Sequence, residues 1–318
     1  MDGLPTTLVP LAGGHSGETF LAEVAGEQVV VRIYGPRSAW RGPLAPEIDA
    51  AVLGLVRGLL PVAEVVEVRR PQPARDLPGL LVTRRLPGDR LDRVLPALDA
   101  SAQQRLGSAL GTLIGRLGHM AMPRAGLFAD PDLTIRAMPD GAADLPSWVA
   151  RHEAALGWVK ADLERLRELA DRAQSLLDGT DRCCLVHSDF NPKNLLVDPD
   201  TLEVTGLVDW EFAHAGSPWA DLGNLLRFDR HEPLEKAVLA SYAAFMPGST
   251  SGSTSGSTSG APDDRLDRAR AADLFALVEL ASRREQNPVA ARAHDQLLAV
   301  ARAGDLHATG QATPRRRA

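Results

Sequence analysis

Apolar and polar residues alternate from Phe20 to Val24, break at Ala25-Gly26-Glu27, and give way to the apolar run Val29-Val-Val-Arg-Ile-Tyr34. This pattern predicts two strands joined by a hairpin. The period then changes. Ile48, Val52, Leu55 and Leu59 recur at helical spacing, which predicts a helix over 47 to about 59, opened by Pro46. Residues 61–75 supply a short strand and a polar turn, and 79–86 a strand that stops at Pro87-Gly88. From residue 89 the helical period dominates. Ser101-Ala-Gln-Gln104 has the form of a capping box before a helix that buries Leu106, Leu110, Leu113, Ile114 and Leu117. Residues 124–144 are rich in Pro, Gly and Asp and are expected to be loop. Ser147 then caps a helical region to about 177, interrupted near Gly157. Its core side holds Trp148, Leu156, Val159, Leu163, Leu166 and Leu169. Two short apolar runs, 195–197 and 207–208, flank Asp198-Pro-Asp200 and predict a second strand hairpin. Helices are expected over 233–245 and within 262–303, the latter burying Leu266, Leu274, Leu277, Leu280 and Leu297.

Composition narrows the class. The 318 residues suffice for two lobes with separate cores, and 44% hydrophobic with 24% charged residues suits a soluble globular protein. No apolar run approaches a membrane span and the N-terminus lacks a signal-peptide pattern, so no membrane partner and a cytoplasmic location are expected. Cys183 and Cys184 are the only cysteines, adjacent, and read as small buried residues in a reducing compartment. The net charge of −6 argues against a nucleic-acid partner. Residues 188–232 hold nine acids and three bases, an excess as large as that of the whole chain. The segment 249–260 repeats Ser-Thr-Ser-Gly three times. It cannot bury apolar surface, so it is expected to be flexible, and its regularity suggests an engineered replacement for a surface loop. Pro314-Arg-Arg-Arg317 is expected to be a disordered basic tail.

Candidate chemistry gathers at the second hairpin. Its geometry brings Asp189, Asn194 and Asp209 to one end. Two carboxylates and an amide oxygen form a hard ligand set, suited to Mg²⁺ that keeps waters and phosphate oxygens as its other ligands. The spacing Asp-x4-Asn also matches the protein-kinase catalytic loop, where the Asp accepts the hydroxyl proton and the Asn holds metal. Near the N-terminus, Gly13, Gly14 and Gly17, with His15 and Ser16 between them, form a loop whose N–H groups can aim at phosphate. Alone, this segment is equally an ordinary hairpin; ahead of the kinase spacing it reads as a nucleotide lid. Arg32 is the only charge between Gln28 and Tyr34. It can grip phosphate in a bidentate manner, or reach solvent from an edge strand.

Three ordered segments then carry a resemblance: His187-Ser-Asp-Phe-Asn-Pro-Lys-Asn194, Gly206-Leu-Val-Asp-Trp-Glu211 and Gly216-Ser-Pro-Trp-Ala-Asp-Leu222. Together they resemble the signature of the aminoglycoside phosphotransferase family, small-molecule kinases of protein-kinase-like fold. His-x-Asp replaces His-Arg-Asp, and no Phe follows the metal Asp. The likeness reaches the N-terminal third and weakens after about residue 230. It implies an α+β, two-lobed, protein-kinase-like fold: a small antiparallel-sheet lobe with the hinge over 1–88, and a mainly helical lobe over 89–318. It implies ATP or GTP with Mg²⁺, phosphates under 13–17 and against Arg32, and Arg32 paired with Asp49, with Glu47 as competitor. Thr83 would back the adenine pocket, and the Arg84 carbonyl and Leu86 N–H would meet the base edge. Asn194 and Asp209 would hold the metal, and Asp189 would orient the acceptor hydroxyl and take its proton. Asp221 and His187 would be structural. Lys193 reaches either the γ-phosphate or solvent.

Members of the family phosphorylate aminoglycosides, macrolides, capreomycin-type peptides, choline or homoserine. The acidic 188–232 segment favours a cationic acceptor by focusing the field. A capreomycin-type peptide or an aminoglycoside is therefore expected, with antibiotic resistance as the role. Glu211 is the candidate to face its positive charge, unless it only bonds nearby backbone. Two other classes compete. One is a nucleotide-binding module without turnover, given Arg32 where kinases have Lys. The other is a metallohydrolase using His187, Asp189, Asp209 and His214, which leaves the glycine loop unexplained.

Overall fold

A computed structural model describes residues 8–11, 19–35, 41–138, 144–180, 182–228, 231–245 and 264–310. Gly13, Gly14, His15, Ser16 and Gly17, the 249–260 repeat and the basic tail lie outside the described residues. The alternating and continuous apolar runs near the N-terminus pair as β2 (Thr19–Val24) and β3 (Glu27–Tyr34), with Thr19 opposite Arg32. Ala25 and Gly26 both take positive φ, the conformation whose twist matches a two-residue hairpin. With β1 (Val9–Pro10), β4 (Val65–Arg69) and β5 (Gly79–Arg84) these strands form an antiparallel sheet of order β1-β2-β3-β5-β4. Ala22, Val29, Val31 and Val82 are its own small core.

Helix α1 (Ala45–Val56) packs beside this sheet, with Pro46 in its first turn. It stops before the expected residue 59, because the backbone leaves helical geometry at Arg57, φ −58 and ψ 130. Its buried stripe is therefore Ile48, Val52 and Val56, while Leu55 and Leu59 are 40% and 49% exposed. The rest of the chain follows as β6 (Asp89–Arg90), α2 (Leu91–Val94), α3 (Ala100–His119), β7 (Ala121–Met122), β8 (Leu127–Phe128) and β9 (Ile135–Arg136). Next come α4 (Leu145–Leu156), α5 (Lys160–Leu177), β10 (Cys183–Val186), β11 (Leu195–Val197), β12 (Val204–Leu207) and β13 (His214–Gly216). Helices α6 (Ala220–Leu225), α7 (Glu232–Phe245), α8 (Arg265–Ala281) and α9 (Pro288–Ala303) close the described chain. Among the described residues no helix is long and apolar enough to cross a membrane.

Two helix starts differ from expectation. The cap of α3 is Asp99, whose side chain accepts the Ala102 N–H at 2.8 Å, not Ser101. The cap of α4 is Asp144, accepting from Ser147 N at 2.8 Å, not Ser147. A carboxylate there both satisfies an orphan N–H and meets the positive helix end. Gly157, at φ +67, ends α4 and produces the expected interruption before α5, while Val159 is 66% exposed rather than core.

Beyond the sheet's own small core, the two expected lobes share a larger one. One large cluster joins Ile48, Val52 and Val56 of α1 to Leu106 and Leu110 of α3, Leu195 and Leu207 of the β11–β12 hairpin, and Tyr242 of α7. A second cluster holds α4, α5, α8 and α9 together through residues such as Leu145, Leu166, Leu274 and Leu297. Helix α3 lies close on α7 along Gly107, Gly111 and Gly115, one residue per turn. A Cβ at Gly111 would sit 2.3 Å from the Val238 carbonyl oxygen, which is backbone and cannot swing aside. Gly111→Ala gains about 1 kcal/mol of helix propensity but incurs overpacking of about 1–3 kcal/mol. The expected outcome is a lower melting temperature; an unchanged or higher one would show that α7 moves away without loss.

Candidate active site

Strand β10 ends in a buried run, and the polar His187-Ser-Asp segment leaves it at the surface of the large core. Ser188 takes φ +65, so this loop needs external support. Asp221 at the start of α6 supplies it: its two oxygens accept the N–H groups of His187 at 2.9 Å and Ser188 at 2.8 Å. Burial pushes the Asp221 carboxyl up to about 7, with those N–H bonds acting in the opposite direction. His187 is fully buried, and burial pushes its imidazole down to about 4. Its Nδ1 accepts the Asp189 N–H at 3.2 Å, so Nε2 carries the proton and donates it to the Val208 carbonyl at 3.0 Å. The neutral ring thus ties the Asp189 loop to the strand that leads into Asp209. Both ring nitrogens are engaged, and among the described residues no group of three or more His, Cys, Asp or Glu could hold a metal. This geometry speaks against the metallohydrolase reading.

The loop presents Asp189 between two amides. Oδ1 accepts Asn191 Nδ2 at 2.7 Å and Oδ2 accepts Asn194 Nδ2 at 2.7 Å. Asn194 Nδ2 also reaches the Asp189 carbonyl at 2.9 Å. Two acceptors on one side fix the amide orientation and leave Asn194 Oδ1 as the remaining acceptor. Burial, and next the Asp209 charge, push the Asp189 carboxyl up to about 6 against the pull of the amides.

Asp209 follows β12 in left-handed backbone, φ +67, which turns its side chain across to the N-terminal sheet. There Arg32 donates from Nη1 to Asp209 Oδ1 at 2.6 Å and from Nη2 to Glu211 Oε2 at 2.5 Å. Burial disfavours the Arg32 cation, but the Asp209 and Glu211 carboxylates outweigh it and raise its pKa further. The expected pair of Arg32 with Asp49 is not formed. Asp49 is buried, takes two bonds from Arg41 at 2.8 and 2.5 Å, and accepts the Tyr34 hydroxyl at 2.5 Å. Bidentate geometry makes Arg41 the better partner. The competitor Glu47 pairs with Arg70 at 2.6 Å instead. Glu211 also lines the cleft, with its carboxylate taken by Arg32 of the N-terminal sheet. Burial, and then Asp209, raise its pKa while Arg32 opposes them.

A cleft of about 1140 Å³ runs through this region. Thr83, Arg84 and Leu86 line one end, with Leu196 and Leu207 as an apolar floor. The Arg84 N–H is taken by the Glu64 carbonyl at 2.9 Å, and the Arg85 N–H by Gln28 at 3.1 Å. A Cβ at Gly206 would come 2.9 Å from Leu86 Cδ1, so glycine is what lets Leu86 lie against the floor. Arg32, Asp189, Lys193, Asn194 and Asp209 line the middle. The far end was not anticipated from sequence: Asn224 of α6, Arg227 and Phe228 just after it, Arg283 in the turn after α8, the α9 cap Asn287 and Arg292 of α9 line the cleft there. Only their convergence in space marks them, since along the chain each is an ordinary helix or loop residue.

Comparison with known proteins shows the family and the fold. The model of the phosphotransferase enzyme family (APH) matches residues 7–252. Among curated proteins, acyl-CoA dehydrogenase family member 10 of Mus musculus is 23% identical over 220 residues, which is 69% of this chain and 20% of that protein. Acyl-CoA dehydrogenase family member 11 of Gallus gallus is 31% identical over 83 residues, 26% of this chain and 10% of that protein. The chain thus spans a fifth or less of these relatives. Among solved structures, an aminoglycoside phosphotransferase APH(4)-Ia mutant with AMP-PNP and hygromycin B superposes at TM-score 0.65 and 16% identity, covering 95% of both chains. The GDP complex of aminoglycoside 2'-phosphotransferase-IIIa gives 0.65 and 16%, over 95% of this chain and 94% of the other. A microcompartment-associated aminopropanol kinase gives 0.63 and 21%, over 95% and 92%. The fold is therefore the α+β, kinase-like one, and with most of its length matched, the chain belongs to the phosphotransferase enzyme family.

Proposed function

We propose that this protein transfers the γ-phosphoryl group of ATP to a hydroxyl of a small molecule bound in the far end of the cleft, with residues 1–88 and 89–318 acting as its two lobes. The observation that carries the reading is the convergence on one cleft of Arg32 from the sheet with Asp189, Asn194 and Asp209 from the loops around β11 and β12. The donor nucleotide lies toward Thr83, Arg84 and Leu86, with the Leu86 N–H and Arg84 carbonyl as the base-edge partners, and GTP is the alternative donor. Asp189 accepts a hydrogen bond from the acceptor hydroxyl and aims its oxygen at the γ-phosphorus. As the new O–P bond forms, the bond to the β–γ bridging oxygen breaks, ADP leaves with that oxygen, and the hydroxyl proton passes to Asp189. The transition state is loose, so holding the two oxygens in line matters more than full proton removal. The donor set fits Mg²⁺: the Asp209 carboxylate and Asn194 Oδ1 are hard oxygens, and such sites use one or two protein ligands plus phosphate. Bound there, the ion would neutralise phosphate charge.

Several of the acids in 188–232 that favour a cationic antibiotic acceptor are already engaged within the protein. Asp198 holds its own turn by accepting from Asp200 and Thr201, Asp221 is buried on backbone, and Asp209 and Glu211 lie on Arg32. Glu232 pairs with Lys236 on the surface. A resistance role therefore rests on the kinship alone, as does a cytoplasmic location.

Transfer is tested by incubating the protein with ATP or GTP, Mg²⁺ and hydroxyl compounds, and scoring a phosphate-sized mass gain. Nucleotide binding with no product from any acceptor would favour the module without turnover. Arg32 has its own test. If it grips phosphate, Arg32→Ala raises KM for ATP about tenfold, the size of one lost charged contact, and Arg32→Lys restores part of it. Equal kinetics for all three proteins would leave Arg32 as a strut between Asp209 and Glu211 only.

A further inference from the structure

Along the chain Asn191 looks like a spacer inside the loop between Asp189 and Asn194; the structure gives it more to do. Phe190 is fully buried and lies edge-on to the His187 ring at 6.2 Å, while its neighbours Asp189 and Asn191 both line the cleft. Asn191 Nδ2 donates to Asp189 Oδ1 at 2.7 Å and to the Asp189 carbonyl at 3.2 Å. Its Oδ1 accepts the Lys193 N–H at 2.9 Å. Its backbone N–H donates to the Asp189 carbonyl at 2.9 Å, and its own carbonyl accepts the Asn194 N–H at 3.0 Å. Two acceptors on Nδ2 and a donor on Oδ1 fix which way the amide faces. Pro192 follows, and its carbonyl accepts the Asp92 N–H at 3.0 Å, which ties the loop to α2. The Asn191 side chain thus borders the cleft but turns its amide inward, onto Asp189.

The last torsion of an aspartate is broad, so the plane of the carboxylate is set by its partners. On Asp189 these are Asn191 at Oδ1 and Asn194 at Oδ2, both at 2.7 Å. A single contact would let the plane pivot; one on each oxygen holds it. The backbone beneath is secured separately. Asp221 accepts the N–H groups of His187 and Ser188, and His187 Nδ1 accepts that of Asp189. Loss of the Asn191 donor therefore leaves the loop in place and frees the carboxylate to swing. The aim of that carboxylate matters, because a misplacement of about 1 Å can cost about 10²-fold in rate. We propose that Asn191 is a positioning residue for phosphoryl transfer, which fixes the plane of the Asp189 carboxylate so that the acceptor hydroxyl meets one oxygen in a single orientation. This inference rests on the transferase reading and adds to it the residue that aims the proton acceptor.

The test uses the full chain with Mg²⁺ and γ-labelled ATP, and follows label passed to water and to the hydroxyl compounds of a cell metabolite extract. Asn191→Asp keeps the side-chain shape and the oxygen that accepts the Lys193 N–H, but loses the donor to Asp189. Asn191→Ala loses both. Each is expected to lower kcat roughly tenfold or more, with KM for ATP changed by less than about threefold. Thermal melts confirm folding, and if Asn191→Ala melts early the Asp variant carries the comparison. Introduced into Asp189→Ala, the same two changes are expected to lower kcat no further, since a residue that acts through Asp189 then has nothing to aim. Wild-type turnover in Asn191→Asp would reduce Asn191 to a loop-building role through Lys193 and overturn the proposal. Losses that multiply with that of Asp189→Ala, or a raised KM with kcat unchanged, would overturn it too; all three outcomes leave the transferase standing. Wild-type protein that binds ATP but passes label to neither water nor any acceptor overturns the transferase reading and this inference with it.

Discussion

Asp189→Ala is expected to lower kcat by roughly 10²-fold or more while leaving ATP affinity near wild type, the signature of a lost acid–base and positioning group. The substitution removes the acceptor of two amides, Asn191 Nδ2 and Asn194 Nδ2. Both amides are half-buried beside the cleft, so water replaces the carboxylate there and the fold survives. Burst or single-turnover kinetics separate the chemical step from product release. Near-wild-type turnover would remove Asp189 from the mechanism and leave catalysis to positioning by the rest of the cleft.

Asp209→Ala acts on a different link. It removes the carboxylate placed to hold Mg²⁺ and one of the two partners of Arg32, whose other partner is Glu211. The expected result is a weakening of Mg²⁺–ATP binding by tenfold or more, equivalent to about 1.4 kcal/mol or more. Turnover should recover in part at high Mg²⁺. Isothermal titration of ATP at several Mg²⁺ concentrations checks this: curves that overlay wild type would show that Asp209 is not a metal ligand. Asp209→Asn keeps a hydrogen-bond acceptor for Arg32 but not the charge, so a defect shared by both variants traces to metal rather than to the lost strut.

The local pattern of the chain already carried most of the fold. Alternation at 20–24, the unbroken run at 29–34 and the change to helical spacing after Pro46 are short-range signals that burial enforces wherever they occur. The β11–β12 hairpin was legible for the same reason: two apolar runs around Asp198-Pro-Asp200 have few other ways to pair. Helix ends were less legible. Asp99 and Ser101 both suit a cap, and which one serves depends on where the preceding chain leaves the core. The end of α1 came three residues early because the backbone turned extended at Arg57, which left Leu55 and Leu59 off the buried stripe.

By itself the sequence determined the type of chemistry: Asp189, Asn194 and Asp209 stand at a spacing that a β-hairpin must bring together, and no long-range information is needed for that. Partner choice was decided only in three dimensions. Asp49 went to Arg41 and Tyr34, and Arg32 to Asp209 and Glu211, because an ion pair goes to the geometry that desolvates it best, and sequence distance does not report geometry. The placement of charge is likewise a tertiary property. Counting charge along 188–232 gave an acidic segment, yet Asp198 lies in a turn, Asp221 on backbone, Asp209 and Glu211 on Arg32 and Glu232 on the surface. Electrostatic fields sum over positions in space, so the contents of a segment set its net charge and the fold sets where that charge is felt.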